Sequence, residues 1–107
     1  QAQMLLFYIP MEVQLKMDQY GEHASLYVWK HMGTYFNDLL DAFSREKNIR
    51  FLDLLGDFEQ NKSQGLYLSR DGHLTKSGHR VAADSLFRYI IHNNLLRKNS
   101  SVPKTLN

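Results

Sequence analysis

The chain has 107 residues, 43% hydrophobic and 12% aromatic, enough for one domain with a modest core and too little for two. Its 13 basic and 11 acidic residues leave a formal net charge of +2, so it lacks the basic field that neutralising a phosphate backbone requires, and nucleic acid is not an expected partner. The absence of cysteine excludes disulfides, thiolate catalysis and cysteine-based zinc sites.

Residues 4–9, MLLFYI, form an apolar run closed by Pro10, the pattern of a strand buried on both faces of a helix-covered parallel sheet. The run is too short for a membrane span or a complete signal peptide, and Gln1 in place of Met leads to the expectation that the natural N-terminus is missing. Over residues 11–24 two readings stand. Met11, Val13, Leu15 and Met17 alternate as in a strand, whereas Glu12, Gln14 and Lys16 are good helix formers.

Residues 25–47 carry Trp29, Met32, Phe36, Leu39, Leu40 and Phe43 three and four apart, which predicts a helix with one apolar stripe, capped by Ser25 and ending at Lys47 and Asn48. Residues 49–55, IRFLDLL, predict a second buried strand. Strand, helix and strand in this order make a βαβ unit with parallel strands and a right-handed crossover. Residues 56–65 are a loop or a short helix. Thr75 is positioned to cap a last helix whose face is lined by Ala82, Ala83, Leu86, Ile90 and Leu95 and which ends within residues 93–98. Residues 1–98 then form the structured segment, and the polar residues 99–107 a flexible tail.

The chemistry is concentrated in residues 66–83, LYLSRDGHLTKSGHRVAA, where an acid and an imidazole stand one residue apart on a turn that opens a helix. A serine hydroxyl needs a base within hydrogen-bond reach, and imidazole has the pKa for that task. A carboxylate beside it fixes the tautomer and stabilises the imidazolium that forms. His73 and Asp71 supply these two groups, and Gly72 between them permits a tight turn. Leu74 is expected to pack behind the imidazole, and Gly78 to let the helix start approach neighbouring backbone.

Asp71, Gly72, His73, Leu74, Gly78, His79, Ala82 and Ala83 together resemble the last conserved block of the SGNH (GDSL-type) esterases and O-acyltransferases. The resemblance implies an α/β fold, the C-terminal portion of a flavodoxin-like parallel sheet, with His73 as general base and Asp71 as its partner. No cofactor is expected, and no metal either, because His73 and His79 stand six apart, which is no recognised metal-ligand spacing. The family's Gly-Asp-Ser and Gly-x-Asn-Asp blocks do not occur in these 107 residues. The chain is therefore expected to be the C-terminal part of a hydrolase or acyltransferase domain, inactive by itself. Its expected partners are the missing N-terminal part of the same domain and an acylated carbohydrate or other ester, in a cell-envelope setting, with self-association through exposed strand edges. One departure stands out: many members place two residues between the Asp and the His, and here only Gly72 intervenes. Asp53 is the nearest substitute acid. The alternative reading is a non-catalytic α/β interaction or carbohydrate-binding module in which the Asp-Gly-His turn merely enters a helix.

The remaining candidates have structural readings. His79 is expected to pack or hydrogen-bond, and His23, His31 and His92 to be solvated, as are Asp38 and Asp41. Ser25, Ser44, Ser63, Ser69, Ser77 and Ser85 all lack the sharp strand-to-helix setting of a nucleophile.

Overall fold

The computed structural model describes residues 3–16, 33–69 and 71–96. Strand β1 (Leu5–Tyr8) leads into a one-turn helix α1 (Glu12–Leu15). Helix α2 (Tyr35–Glu46) returns to β2 (Arg50–Asp53), which is followed by the short helix α3 (Leu55–Gln60), a 3-10 turn (Lys62–Gln64) and the long helix α4 (Lys76–His92). β1 and β2 pair in parallel, with Leu5 opposite Arg50 and Tyr8 opposite Asp53. The fold is thus mixed α/β around a two-stranded parallel sheet, as the βαβ pattern required.

Alternation along a strand sends neighbouring residues to opposite faces. Tyr8 and Asp53 face α2, whose Asn37 bonds the Asp53 carboxylate. Leu52 faces the other way and packs against a core of Leu15, Leu54, Phe58, Leu66, Val81 and Ala82. Phe58 and Leu54 are wholly buried there, drawing α3 and α4 onto that face. Arg50, at the start of β2, donates to Asn93 just past the end of α4 at 3.3 Å, so α4 runs antiparallel to the strands.

Several expected boundaries shift. The helix expected over residues 25–47 is seen from Tyr35 onward; Ser25, Trp29 and Met32 lie outside the described residues, as do His23, His31 and residues 99–107. The second strand stops at Asp53 rather than at residue 55, because the Asp53 carboxylate accepts from the Leu55 amide at 3.0 Å and turns the chain into α3. Thr75 caps α4 as expected, its hydroxyl accepting from the Gly78 amide at 3.1 Å. The buried side of α4 is Gly78, Val81, Ala82 and Ser85, so Ala83 is exposed rather than on the core face. Residues 12–15 settle one ambiguity in favour of a helix. Gln14 reaches back to accept from the Met11 amide at 3.0 Å, one half of a capping box.

The largest departure concerns α2. Its apolar stripe, of a kind that ordinarily faces a core, is largely solvent-exposed: Phe36 is 41%, Leu39 51% and Phe43 45% exposed, while the buried residues of the helix are Asn37 and Ser44.

Candidate functional site: the Asp71–His73 turn

Leu66 to Thr75 is a tight hairpin. The Leu68 amide donates to the His73 carbonyl at 2.7 Å and the Thr75 amide to the Leu66 carbonyl at 2.9 Å, which makes Tyr67 and Leu74 a directly opposed pair. Both point inward, Leu74 packing on the core and Tyr67 donating its hydroxyl to the Pro10 carbonyl. Pro10 follows β1, so this bond ties the hairpin to the carboxyl ends of the strands, the rim where ligand sites of open α/β sheets lie.

Because Tyr67 and Leu74 turn inward, their neighbours Leu68 and His73 turn outward. The His73 side chain is 81% exposed and that of Asp71 52%. Gly72 between them has φ of 76°, a conformation that residues with a Cβ rarely adopt, and this bend folds Asp71 back on His73. One carboxylate oxygen, Oδ1, accepts from the His73 backbone amide at 2.9 Å and lies 3.4 Å from the ring nitrogen Nδ1. The carboxylate is aimed at the histidine and not at the helix start, which Thr75 caps. The Nδ1 separation is longer than a formed hydrogen bond, and catalytic contacts in ligand-free sites commonly tighten only around substrate. The other ring nitrogen, Nε2, is the atom such an arrangement leaves to take a proton.

Asp53 is not available as a substitute partner. Its two oxygens accept from Asn37 Nδ2 at 2.9 and 2.8 Å, and Oδ1 also takes the Leu55 amide. Among the six serines weighed as nucleophiles, Ser44 and Ser85 are buried, bonded to the Asp41 carbonyl and to Asp57 respectively, and Ser25 lies outside the described residues. His79 is exposed rather than packed, because it falls on the outer side of α4. Among the described residues no group of three His, Asp or Glu is placed to hold a metal ion, and no helix is long and apolar enough to cross a membrane.

A chain of polar groups at the same rim was not anticipated from the sequence. Tyr8 donates its hydroxyl to Gln14 Oε1 at 2.8 Å; Gln14 Nε2 donates to Asn37 Oδ1 at 2.9 Å and to the Gly33 carbonyl at 2.6 Å; Asn37 completes the run to Asp53. Burial, and secondarily the Asp53 charge, raises the Tyr8 pKa above its ordinary value. Tyr67 is raised further, first by burial and then by the Glu12 and Tyr8 charges. Both phenols are therefore fixed as donors at neutral pH.

Beside this chain lies an open cleft of about 430 Å³, walled by Glu12, Leu15 and Lys16 of α1 and by Leu66, Tyr67 and Ser69 of the hairpin. Neither Asp71 nor His73 lines it, since the hairpin turns them to its other face. No family model matches the chain, and no curated protein or solved structure matches it significantly.

Proposed function

We propose that this chain is the C-terminal segment of an SGNH-type serine ester hydrolase or O-acyltransferase, in which His73 is the general base and Asp71 its orienting acid. The carrying observation is the shared contact of one Asp71 oxygen with both the backbone amide and Nδ1 of His73, on an exposed turn at the carboxyl rim of a parallel sheet. With Nδ1 beside the carboxylate, Nε2 is the nitrogen left to act on the substrate. That nitrogen takes the proton of a serine hydroxyl as its oxygen attacks an ester carbonyl, and later returns it to the departing alcohol. Asp71 stabilises the imidazolium between these steps.

The serine and the donors that bind the oxyanion come from polypeptide outside these 107 residues, and the substrate class is an acylated carbohydrate or a related ester. Hydrolysis of p-nitrophenyl acetate tests the reading. The chain alone shows no turnover beyond that of free imidazole. The chain joined to the polypeptide encoded ahead of it turns over, and His73→Ala removes that activity by a factor on the order of 10³ or more. Turnover unaffected by His73→Ala refutes it. One observation favours the alternative, a non-catalytic interaction or carbohydrate-binding module: the cleft excludes both residues of the pair. In that case ligands bind the cleft and His73→Ala changes nothing.

A further inference from the structure

Among the described residues, several exposed apolar side chains flank the β1 edge of the sheet. On α2, Phe36, Leu39, Leu40 and Phe43 form a stripe at i, i+3, i+4 and i+7, about a third of a turn from the buried line of Asn37 and Ser44. The β1–α2–β2 connection joins parallel strands, and such crossovers are right-handed in about 98% of cases. With that hand, a helix returning antiparallel over the sheet carries this stripe toward the β1 side, away from β2.

α4 repeats the arrangement on the opposite face. It too runs antiparallel to the strands. One of its flanks bears Asp84 and Arg88, and Arg88 reaches Asp57 of α3 at 3.3 Å. The other bears Ala83, Leu86, Phe87 and Ile90, with Phe87 64% exposed. The sense of a right-handed helix turns that second flank toward the β1 side as well.

Between the two helical flanks runs the outer edge of β1. The Tyr8 carbonyl accepts from the Leu54 amide, so Tyr8 and Leu6 direct their backbone groups at β2, and Leu5 and Phe7 direct theirs outward. Among the described residues no strand pairs with that edge. Phe7 is 42% and Met4 67% exposed, although the run they belong to has the composition of a central strand. The exposed surface of Met4, Phe7, Phe36, Leu39, Phe43 and Phe87 amounts to roughly 600 Å², three quarters of the roughly 800 Å² per partner of a standard protein interface.

We infer that the β1 edge and the two helix flanks above and below it are the docking surface for a polypeptide that lays one strand parallel to β1 and covers the apolar flanks of α2 and α4 with helices. Apolar flanks on both faces call for an occupant with a layer on each side of its strand. The parallel direction continues the β1–β2 ladder. It also rests on the hydrolase reading above: only a strand parallel to β1 ends at the rim that carries His73, where the loop following it can bring a serine. A second copy would pair β1 with β1 about a two-fold axis, which is antiparallel and sends the partner's rim to the opposite end.

Amide hydrogen exchange tests this. The probe is the polypeptide encoded immediately ahead of Gln1, added as a separate chain to residues 1–107. On mixing, the Leu5 and Phe7 amides become protected at least tenfold, and the variant Leu39→Glu with Phe43→Glu loses the protection. Both of these side chains are already half exposed, so an unchanged far-UV circular dichroism spectrum shows that the variant still folds. Phe87→Glu, on the other face, weakens docking independently. Amides of Leu5 and Phe7 that stay unprotected overturn the proposal, and so does a homodimer of residues 1–107 that the double variant dissolves. Docking with protection but no ester turnover would refute the hydrolase reading and leave the surface standing; turnover without protection would do the reverse.

Discussion

Asn37 holds both carboxylate oxygens of Asp53 with a single amide nitrogen, at 2.9 and 2.8 Å, and so joins the middle of the protein's polar chain to the end of β2. Asn37 is 4% exposed, and its own carbonyl oxygen accepts from Gln14. Replacing it strands two partners at once. Asn37→Ala is expected to destabilise the chain by about 2–3 kcal/mol in urea unfolding. Asn37→Asp is the sharper probe, because it sets two carboxylates against each other and raises their folded pKa values. Its deficit is then largest at neutral pH and shrinks as pH falls toward about 4, where the unfolded carboxylates also hold their protons.

Gly78 is in the first turn of α4, where a Cβ would meet the Leu66 carbonyl oxygen and the Leu74 side chain. Alanine normally strengthens a helix by up to about 1 kcal/mol over glycine. Here Gly78→Ala is expected to destabilise by about 1–3 kcal/mol, because the obstacle is backbone rather than a movable side-chain end. A shift of the urea midpoint to higher concentration would contradict this.

Thr75 has two tasks, capping α4 through Gly78 and donating its hydroxyl to the Gly65 carbonyl at 2.6 Å. Thr75→Ala is expected to cost about 1–2 kcal/mol, and Thr75→Ser to recover most of it. Thermal unfolding of the two variants side by side measures the difference.

The phenols of Tyr8 and Tyr67 set an alkaline limit. Both have folded pKa values above the ordinary 10.0. The folded chain therefore binds these protons more tightly than the unfolded chain does. Their contribution is fully present below about pH 10 and is lost as pH rises from there through the folded values. Urea unfolding at pH 9, 10 and 11 is expected to show falling stability, and Tyr8→Phe and Tyr67→Phe each to flatten the fall.

Asp71→Asn separates the two roles of that carboxylate. The amide oxygen of asparagine still accepts from the His73 backbone, so the turn and the melting temperature are expected to hold. The charge that stabilises an imidazolium is gone, and turnover of p-nitrophenyl acetate by the chain joined to its nucleophile-bearing partner falls by a factor on the order of 10³. A loss of melting temperature matching the loss of turnover would assign Asp71 a purely structural part.

The elements that period and punctuation define were legible in the residues: the MLLFYI strand ended by Pro10, the second strand, the Thr75 cap and the long last helix. What α2 packs against was not. Its stripe has the spacing of a core-facing helix, yet its buried line is Asn37 and Ser44, since periodicity reports that a side will be covered but not by what. The Tyr8–Gln14–Asn37–Asp53 chain was equally hidden. Its members are scattered over two strands and two helices with polar residues of no distinctive type, and only the crossover brings them together. Asp71 and His73 were visible because their relationship is local, with one glycine between them.

Gln14 holds the Gly33 carbonyl at 2.6 Å, so the backbone leaving α1 at Lys16 and the backbone entering α2 are pinned a side chain's reach apart. Whatever length of sequence joins those two points, the anchor stays the same. The crossover between the two strands is thus clamped at both ends by one carboxamide group, the same that fixes the Tyr8 hydroxyl and Asn37.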